Sequence, residues 1–184
     1  MNMKTLYLVR HAKSSWDYEN ISDIDRPLKI KGIRDSYEIA RRFKLRNLFP
    51  DIIYASPANR AIHTALIFIR VFEVGYDRLL VNEDIYDGDI DDLKNIVKNV
   101  SNDYNSVMII GHNPVISEFA TSMLNEHDNN FSSLKILPED IEDMPTCSVI
   151  SITSEVDNWV DFFNGKVRIF SFDKPGDNVK IEIS

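Results

Sequence analysis

Four basic side chains stand where this sequence could do chemistry. Arg10 and His11 end the apolar run Leu6-Tyr7-Leu8-Val9, Arg60 follows Ser56-Pro57 closely, and His112 comes straight after Val107-Met108-Ile109-Ile110-Gly111. An arginine presents a planar fork of donors that matches a phosphate. An imidazole is the one side chain that serves as a neutral nucleophile or as a cation near pH 7. Each has an ordinary explanation when taken alone: a chance Arg-His pair, a surface arginine, a core histidine. Taken together, the ordinary explanations need three independent coincidences. Two arginines, two histidines and two helix amino termini meeting in one crevice describe a pocket for a phosphoryl group.

The meeting depends on the elements that carry these residues. Leu6–Val9 and Ser106–Ile110 read as strands buried on both faces, and Asp51–Ala55 as a shorter one. Open α/β sheets bind ligands beyond the carboxyl ends of their strands. A mainly parallel sheet therefore lines up Arg10, His11, Arg60 and His112 along one edge. Helices are expected over Gly32 to about Asn47, from Ser56 (N-cap) and Pro57 to about Phe72, over Ile90–Val100, and after Pro114. The basic cluster Arg41, Arg42, Lys44 and Arg46 reads as a solvated helix face. Arg60 in a first helical turn opposes the helix dipole, and a residue that breaks a local rule is a candidate for function. Leu79–Asn82 reads as a brief strand. Asn125–Met144 reads as a polar surface loop with one helical turn and an exposed His127. Cys147–Ser154 and Lys166–Asp173 read as two final strands joined by a turn near Asn164-Gly165. The expected fold is α/β: a single three-layer domain over residues 1–184, its mainly parallel central sheet flanked by helices.

Three segments carry a family resemblance. Arg10-His11-Ala12-Lys13, Ser56-Pro57-Ala58-Asn59-Arg60-Ala61 and Gly111-His112-Asn113-Pro114 resemble the three signatures of the histidine phosphatase superfamily, which includes the phosphoglycerate mutases. The chain is most similar to the SixA-like phosphohistidine phosphatase branch. It shares Ser14-Ser15-Trp16, Asp25-Arg26-Pro27-Leu28, Glu83 with Ile85-Tyr86, and Met144-Pro145-Thr146, in family order along nearly the whole chain. Ala12 stands where many superfamily members have glycine. His63 stands where relatives often carry a longer polar residue, and it is assigned no role.

The resemblance implies a phosphoglycerate mutase-like fold and a covalent mechanism. His11 attacks phosphorus and water then hydrolyses the phosphohistidine. The residues agree with that chemistry. Only an unprotonated imidazole nitrogen is nucleophilic, so the other nitrogen of His11 must be held by an acceptor, such as a backbone carbonyl. Arg10 and Arg60 grip the nonbridging oxygens and His112 adds a hydrogen bond or positive charge, which leaves no need for a metal or other cofactor. Glu83 matches the family's acidic residue and is either the general acid or an ordinary loop carboxylate. Arg26 either adds a third arginine to the pocket or anchors its loop by a salt bridge. Lys13, Ser14 and Trp16 shape the rim, or Trp16 is a packed loop anchor. The expected substrates are a phosphohistidine protein or a small phosphorylated metabolite. The alternatives are a mutase-like phosphotransferase and a non-catalytic module that binds phospho-ligands.

Composition narrows the field. The 184 residues carry 21 Lys+Arg against 29 Asp+Glu, a net charge of −8, which argues against nucleic acid or an anionic membrane as partner. No apolar run is long enough to span a bilayer and no charged-then-apolar leader precedes the first strand, so a cytoplasmic protein is expected. Cys147 has no arginine six positions on, which excludes a cysteine phosphatase and leaves it a small buried residue. Asp23-Ile24-Asp25 lies in a polar loop rather than after a strand, which excludes an aspartyl-phosphate enzyme. Asp87–Lys98 lacks the sixth-position glycine of a calcium loop and has Lys98 in place of its twelfth-position glutamate.

Overall fold

The computed structural model describes residues 3–127 and 138–177. One six-stranded sheet organises them. Its strands are β1 (Lys4–Arg10), β2 (Ile52–Ala55), β3 (Leu79–Val81), β4 (Ser106–Gly111), β5 (Val149–Ser154) and β6 (Val167–Asp173), in the order β3-β2-β4-β1-β5-β6. The first four in that order run parallel, and β5 and β6 are antiparallel to their neighbours. This is the expected α/β architecture, with the carboxyl ends of β2, β4 and β1 side by side.

Alternation along the strands builds the layers. Leu6 and Leu8 of β1 face one core with Val107, Ile109, Ile150 and Ile152, covered by α4 (Ile90–Lys98) and α5 (Val115–His127). Tyr7 and Val9 face the other, with Ile53, Met108 and Ile110, covered by α1 (Ile30–Leu45) and α2 (Asn59–Phe72). The short helices α3 (Asp84–Asp87) and α6 (Pro138–Glu142) lie in connections.

Several boundaries differ from those expected. Helix α1 starts at Ile30 rather than Gly32, because the restriction by Pro27 ends at Arg26. Leu28 pairs with Ser14, and the chain turns helical directly after the extended Lys29. Helix α2 starts at Asn59, so Ser56 is not its N-cap. Ala58 occupies that position without a side-chain cap, and the carbonyl of Ile24 accepts the Asn59 N–H at 2.8 Å instead. Helix α4 ends at Lys98, and α5 continues to His127, where a loop was expected. The side chain of His127 and the stretch 128–137 lie outside the described residues.

The first of the two final strands begins at Val149, because Cys147 turns the chain with a left-handed φ of 65°. The link between them passes through a 3₁₀ helix, Trp159–Asn164. The basic cluster of α1 is only partly solvated: Arg42 is buried, donating to the Lys174 carbonyl and pairing with Glu38, and Arg46 pairs with Asp173 at 2.8 Å. Among the described residues no helix is long and apolar enough to cross a membrane.

Candidate active site

The strand ends deliver their residues to one place. In register, Arg10 of β1 lies opposite Gly111 of β4, and the His11 N–H donates to the Gly111 carbonyl at 2.9 Å. The rings of His11 and His112 stand 4.9 Å apart, centroid to centroid. The turn Met144–Ser148 clasps the end of β1. Arg10 donates through Nη1 to the Met144 carbonyl at 2.6 Å and through its N–H to Ser148, while the Cys147 N–H donates to the carbonyls of both Arg10 and His11. The backbone beyond the strand is fixed from the other side too: the Ala12 N–H donates to Thr64 Oγ1, which donates to the Arg60 carbonyl.

The state of His11 follows from its contacts. Nδ1 lies 2.8 Å from the Ala12 carbonyl, an acceptor only, so Nδ1 carries the proton and Nε2 keeps its lone pair. Burial above all, opposed by that hydrogen bond and reinforced by His112, Arg60 and Arg10, pushes the pKa of His11 down to about 3. The imidazole is therefore neutral at physiological pH. Burial and the two arginines push His112 down to about 4, against the pull of Asp23. Its Nε2 lies 2.7 Å from Ser56 Oγ, which also accepts the Ala58 N–H. Among the described residues His112 Nδ1 and Arg10 Nε are buried without a hydrogen-bond partner. A buried polar group left unpaired costs about 1–3 kcal/mol.

Arg60 is buried and faces a carboxylate. Its Nη1 donates to the Asp23 main-chain carbonyl at 2.6 Å and its Nη2 to Asp23 Oδ2 at 2.8 Å. Tyr86 donates to the same oxygen at 3.0 Å and sets its ring edge-on to His112, with centroids 5.5 Å apart. Partial burial opposes ionisation of Asp23, but hydrogen bonds from Arg26, Arg60 and Tyr86 hold its pKa down at about 2.

Of the two readings of Arg26, the contacts match the loop anchor. It donates to Asp23 Oδ1, the Ser15 carbonyl and Ser14 Oγ at 2.9–3.0 Å, and its guanidinium lies 3.1 Å from the centroid of Trp16. Trp16 is 75% exposed, Lys13 is exposed, and Ser14 is buried beneath Arg26. Glu83 is exposed at the start of α3 and makes no capping hydrogen bond. Cys147 is buried and free, with its thiol pushed up to about 12 by burial.

Sequence reasoning missed Asp23, Tyr86 and Ser56. An acid three residues before Arg26 was visible, but nothing local says that it meets Arg60 and Tyr86. Ser56 was read for its helix-capping habit, which hid its contact with His112.

Comparison with known proteins bears on the fold and the family. Residues 6–85 match the model of the histidine phosphatase superfamily (branch 1). Over 67 residues, 35% of this chain, it is 36% identical to phosphoglycerate mutase 1 of Saccharomyces cerevisiae, covering 27% of that enzyme. Over 130 residues, 66% of this chain, it is 33% identical to an uncharacterised chloroplastic protein of Arabidopsis thaliana, covering 59% of it. The chain thus matches less than two thirds of the length of either relative. Among solved structures, the SixA protein of Nakamurella multipartitia superposes with a TM-score of 0.78 over 96% of this chain and 98% of that one, at 19% identity. The protein histidine phosphatase SixA complexed with tungstate does so at 0.73 over 93% and 97%, at 18% identity. At such identities the superpositions speak for the fold.

Proposed function

Starting from a chain that belongs to the histidine phosphatase superfamily, we propose that it is a metal-independent phosphatase that works through a phosphohistidine intermediate on His11. The observation that carries this reading is the His11 imidazole: neutral, with Nδ1 held by the Ala12 carbonyl and Nε2 free, 4.9 Å from the ring of His112.

His11 Nε2 forms a bond to phosphorus as the bond to the leaving group breaks. Arg10, Arg60 and His112 stabilise the charge on the nonbridging oxygens. The proposed role of His112 takes Ser56 as the donor to Nε2, 2.7 Å away, with the ring's proton on Nδ1 facing a phosphoryl oxygen. Water then attacks the phosphohistidine, releasing inorganic phosphate and restoring neutral His11. Glu83 is the proposed acid for an alkoxide leaving group. An imidazole leaving group needs little such help, which suits a phosphohistidine protein as substrate alongside small phosphoesters. The match of fold to the SixA proteins supports the same class. The −8 charge supports a phosphorylated protein or metabolite as partner over nucleic acid or membrane. A cytoplasmic location is part of the same proposal.

The test is hydrolysis of p-nitrophenyl phosphate in EDTA. Wild type turns it over and His11→Ala loses at least about a thousandfold in kcat. Full activity in His11→Ala, or strict metal dependence, contradicts the reading. Tight phosphate binding without turnover would point to the binding module instead.

A further inference from the structure

A carboxylate is an odd neighbour for an arginine meant to hold phosphate. Asp23 lies in the loop between β1 and α1, yet it reaches residues 37 and 63 positions further along the chain. Its Oδ2 takes hydrogen bonds from Arg60 at 2.8 Å and from the Tyr86 hydroxyl at 3.0 Å. Its Oδ1 takes Arg26 at 2.9 Å. The loop is seated on the start of α2 as well, through the Asn59 N–H to the Ile24 carbonyl and Asn59 Nδ2 to the Asp25 carbonyl.

From this geometry we infer that Asp23 is a positioning residue for the phosphoryl step. It aims the buried guanidinium of Arg60 and, through Tyr86, the ring of His112. The inference rests on the proposed role of Arg60 toward a phosphoryl group. Asp23 takes two of the guanidinium's five N–H donors, so the proposed contact with a phosphoryl group falls to the others. The pair joins a buried Arg60 to a half-exposed Asp23, so losing Asp23 also costs stability, and kcat has to be read on folded protein.

Two consequences have opposite signs. The Asp23 charge beside Arg60 weakens the hold on a bound phosphate dianion. Its hydrogen bonds keep Arg60 and Tyr86 in the orientation that the transition state needs. The affinity change follows from the charge alone, whereas a residue that merely stabilised the loop would not lower kcat in folded protein.

The experiment compares wild type with Asp23→Asn, Asp23→Ala and Tyr86→Phe. It measures steady-state hydrolysis of p-nitrophenyl phosphate, inorganic phosphate binding by calorimetry, and thermal unfolding. In the Asp23 variants kcat falls about tenfold while inorganic phosphate binds about threefold tighter. Tyr86→Phe keeps the ring on His112 and loses only the hydroxyl, so its kcat falls about two- to threefold. An unchanged kcat in either folded Asp23 variant overturns the inference, as does phosphate affinity that stays the same or weakens. Should wild type bind phosphate without turnover, the phosphatase reading falls and the positioning role falls with it, whereas an active wild type with unchanged kcat in the folded Asp23 variants overturns the inference alone. Should wild type neither bind nor hydrolyse, both readings fall.

Discussion

At the scale of single residues the site is governed by where protons are held. The Ala12 carbonyl can only accept, and that fixes the tautomer of His11. Burial then keeps the ring neutral far below its ordinary pKa. A depressed histidine pKa has a thermodynamic consequence with a definite sign. The unfolded chain takes up the proton near 6.5 and the folded protein only near 3, so the unfolded state binds more protons between those values. Stability is fully present above pH 6.5 and declines as pH falls through that window. At pH 5 His11 alone costs about 2 kcal/mol relative to pH 7. His112, at about 4, adds to the loss. Asp23 loses its own contribution only between its ordinary value of 3.8 and about 2, below this range. Urea unfolding of wild type and His11→Asn at pH 7 and pH 5 checks this. The stability difference between them shifts toward the variant at pH 5, and parallel losses in both proteins would refute it. The residues that announced the site did so because each ends an apolar run or breaks a local rule, as Arg60 does. Asp23 broke none. A carboxylate in a polar loop is ordinary, and its meaning lies in partners that only the folded chain brings near.

At the scale of elements, the segment after β1 is held by its neighbours rather than by helix caps. Ser15 donates to the Pro27 carbonyl and Lys29 to the Lys13 carbonyl, each at 2.8 Å. Gly32 lets α1 press against that segment, since a Cβ there would lie 2.3 Å from the Lys13 carbonyl oxygen. Gly32→Ala must push the two apart and costs about 2 kcal/mol, as overpacking does. Thermal unfolding and kcat should fall together in this variant, because Lys13 and Ala12 adjoin His11. A gain in stability, as expected for alanine in an unobstructed helix, would contradict the packing account. The strands were legible from their apolar runs and the helices from their periodicity. Their starts were not: Ser56-Pro57 looks like a cap and first turn, yet a loop carbonyl distant in sequence supplies the cap of α2.

At the scale of the molecule, the sheet separates function from support. The carboxyl ends of β1, β2 and β4 carry the proposed site, and the amino end of β1 carries Lys4. That lysine is 1% exposed, and its Nζ donates to the carbonyls of Asn102 and Tyr104 and to Asn105 Oδ1 at 2.8–3.0 Å. Lys4→Met removes the shared donor and should destabilise the fold by about 3 kcal/mol. The substitution lies roughly 20 Å along the strand from His11, so kcat per folded molecule should stay within about twofold of wild type. Melting curves with active-site titration separate the two, and a tenfold fall in kcat in folded protein would show that the two ends are coupled. The mainly parallel half of the sheet was readable in advance from the order of strands and helices. The turn Met144–Ser148 was not read as the clasp on Arg10, because that contact joins β1 to residues 134 positions away.

The central claim is that phosphorus passes through His11. Rapid acid-free quench of the wild-type protein with ³²P-labelled substrate, followed by peptide mapping, tests it directly. The account predicts label on the peptide containing His11, stable to base and labile to acid, formed and lost at rates compatible with turnover. Label on another residue, or turnover with no phosphoenzyme at any time point, would contradict it.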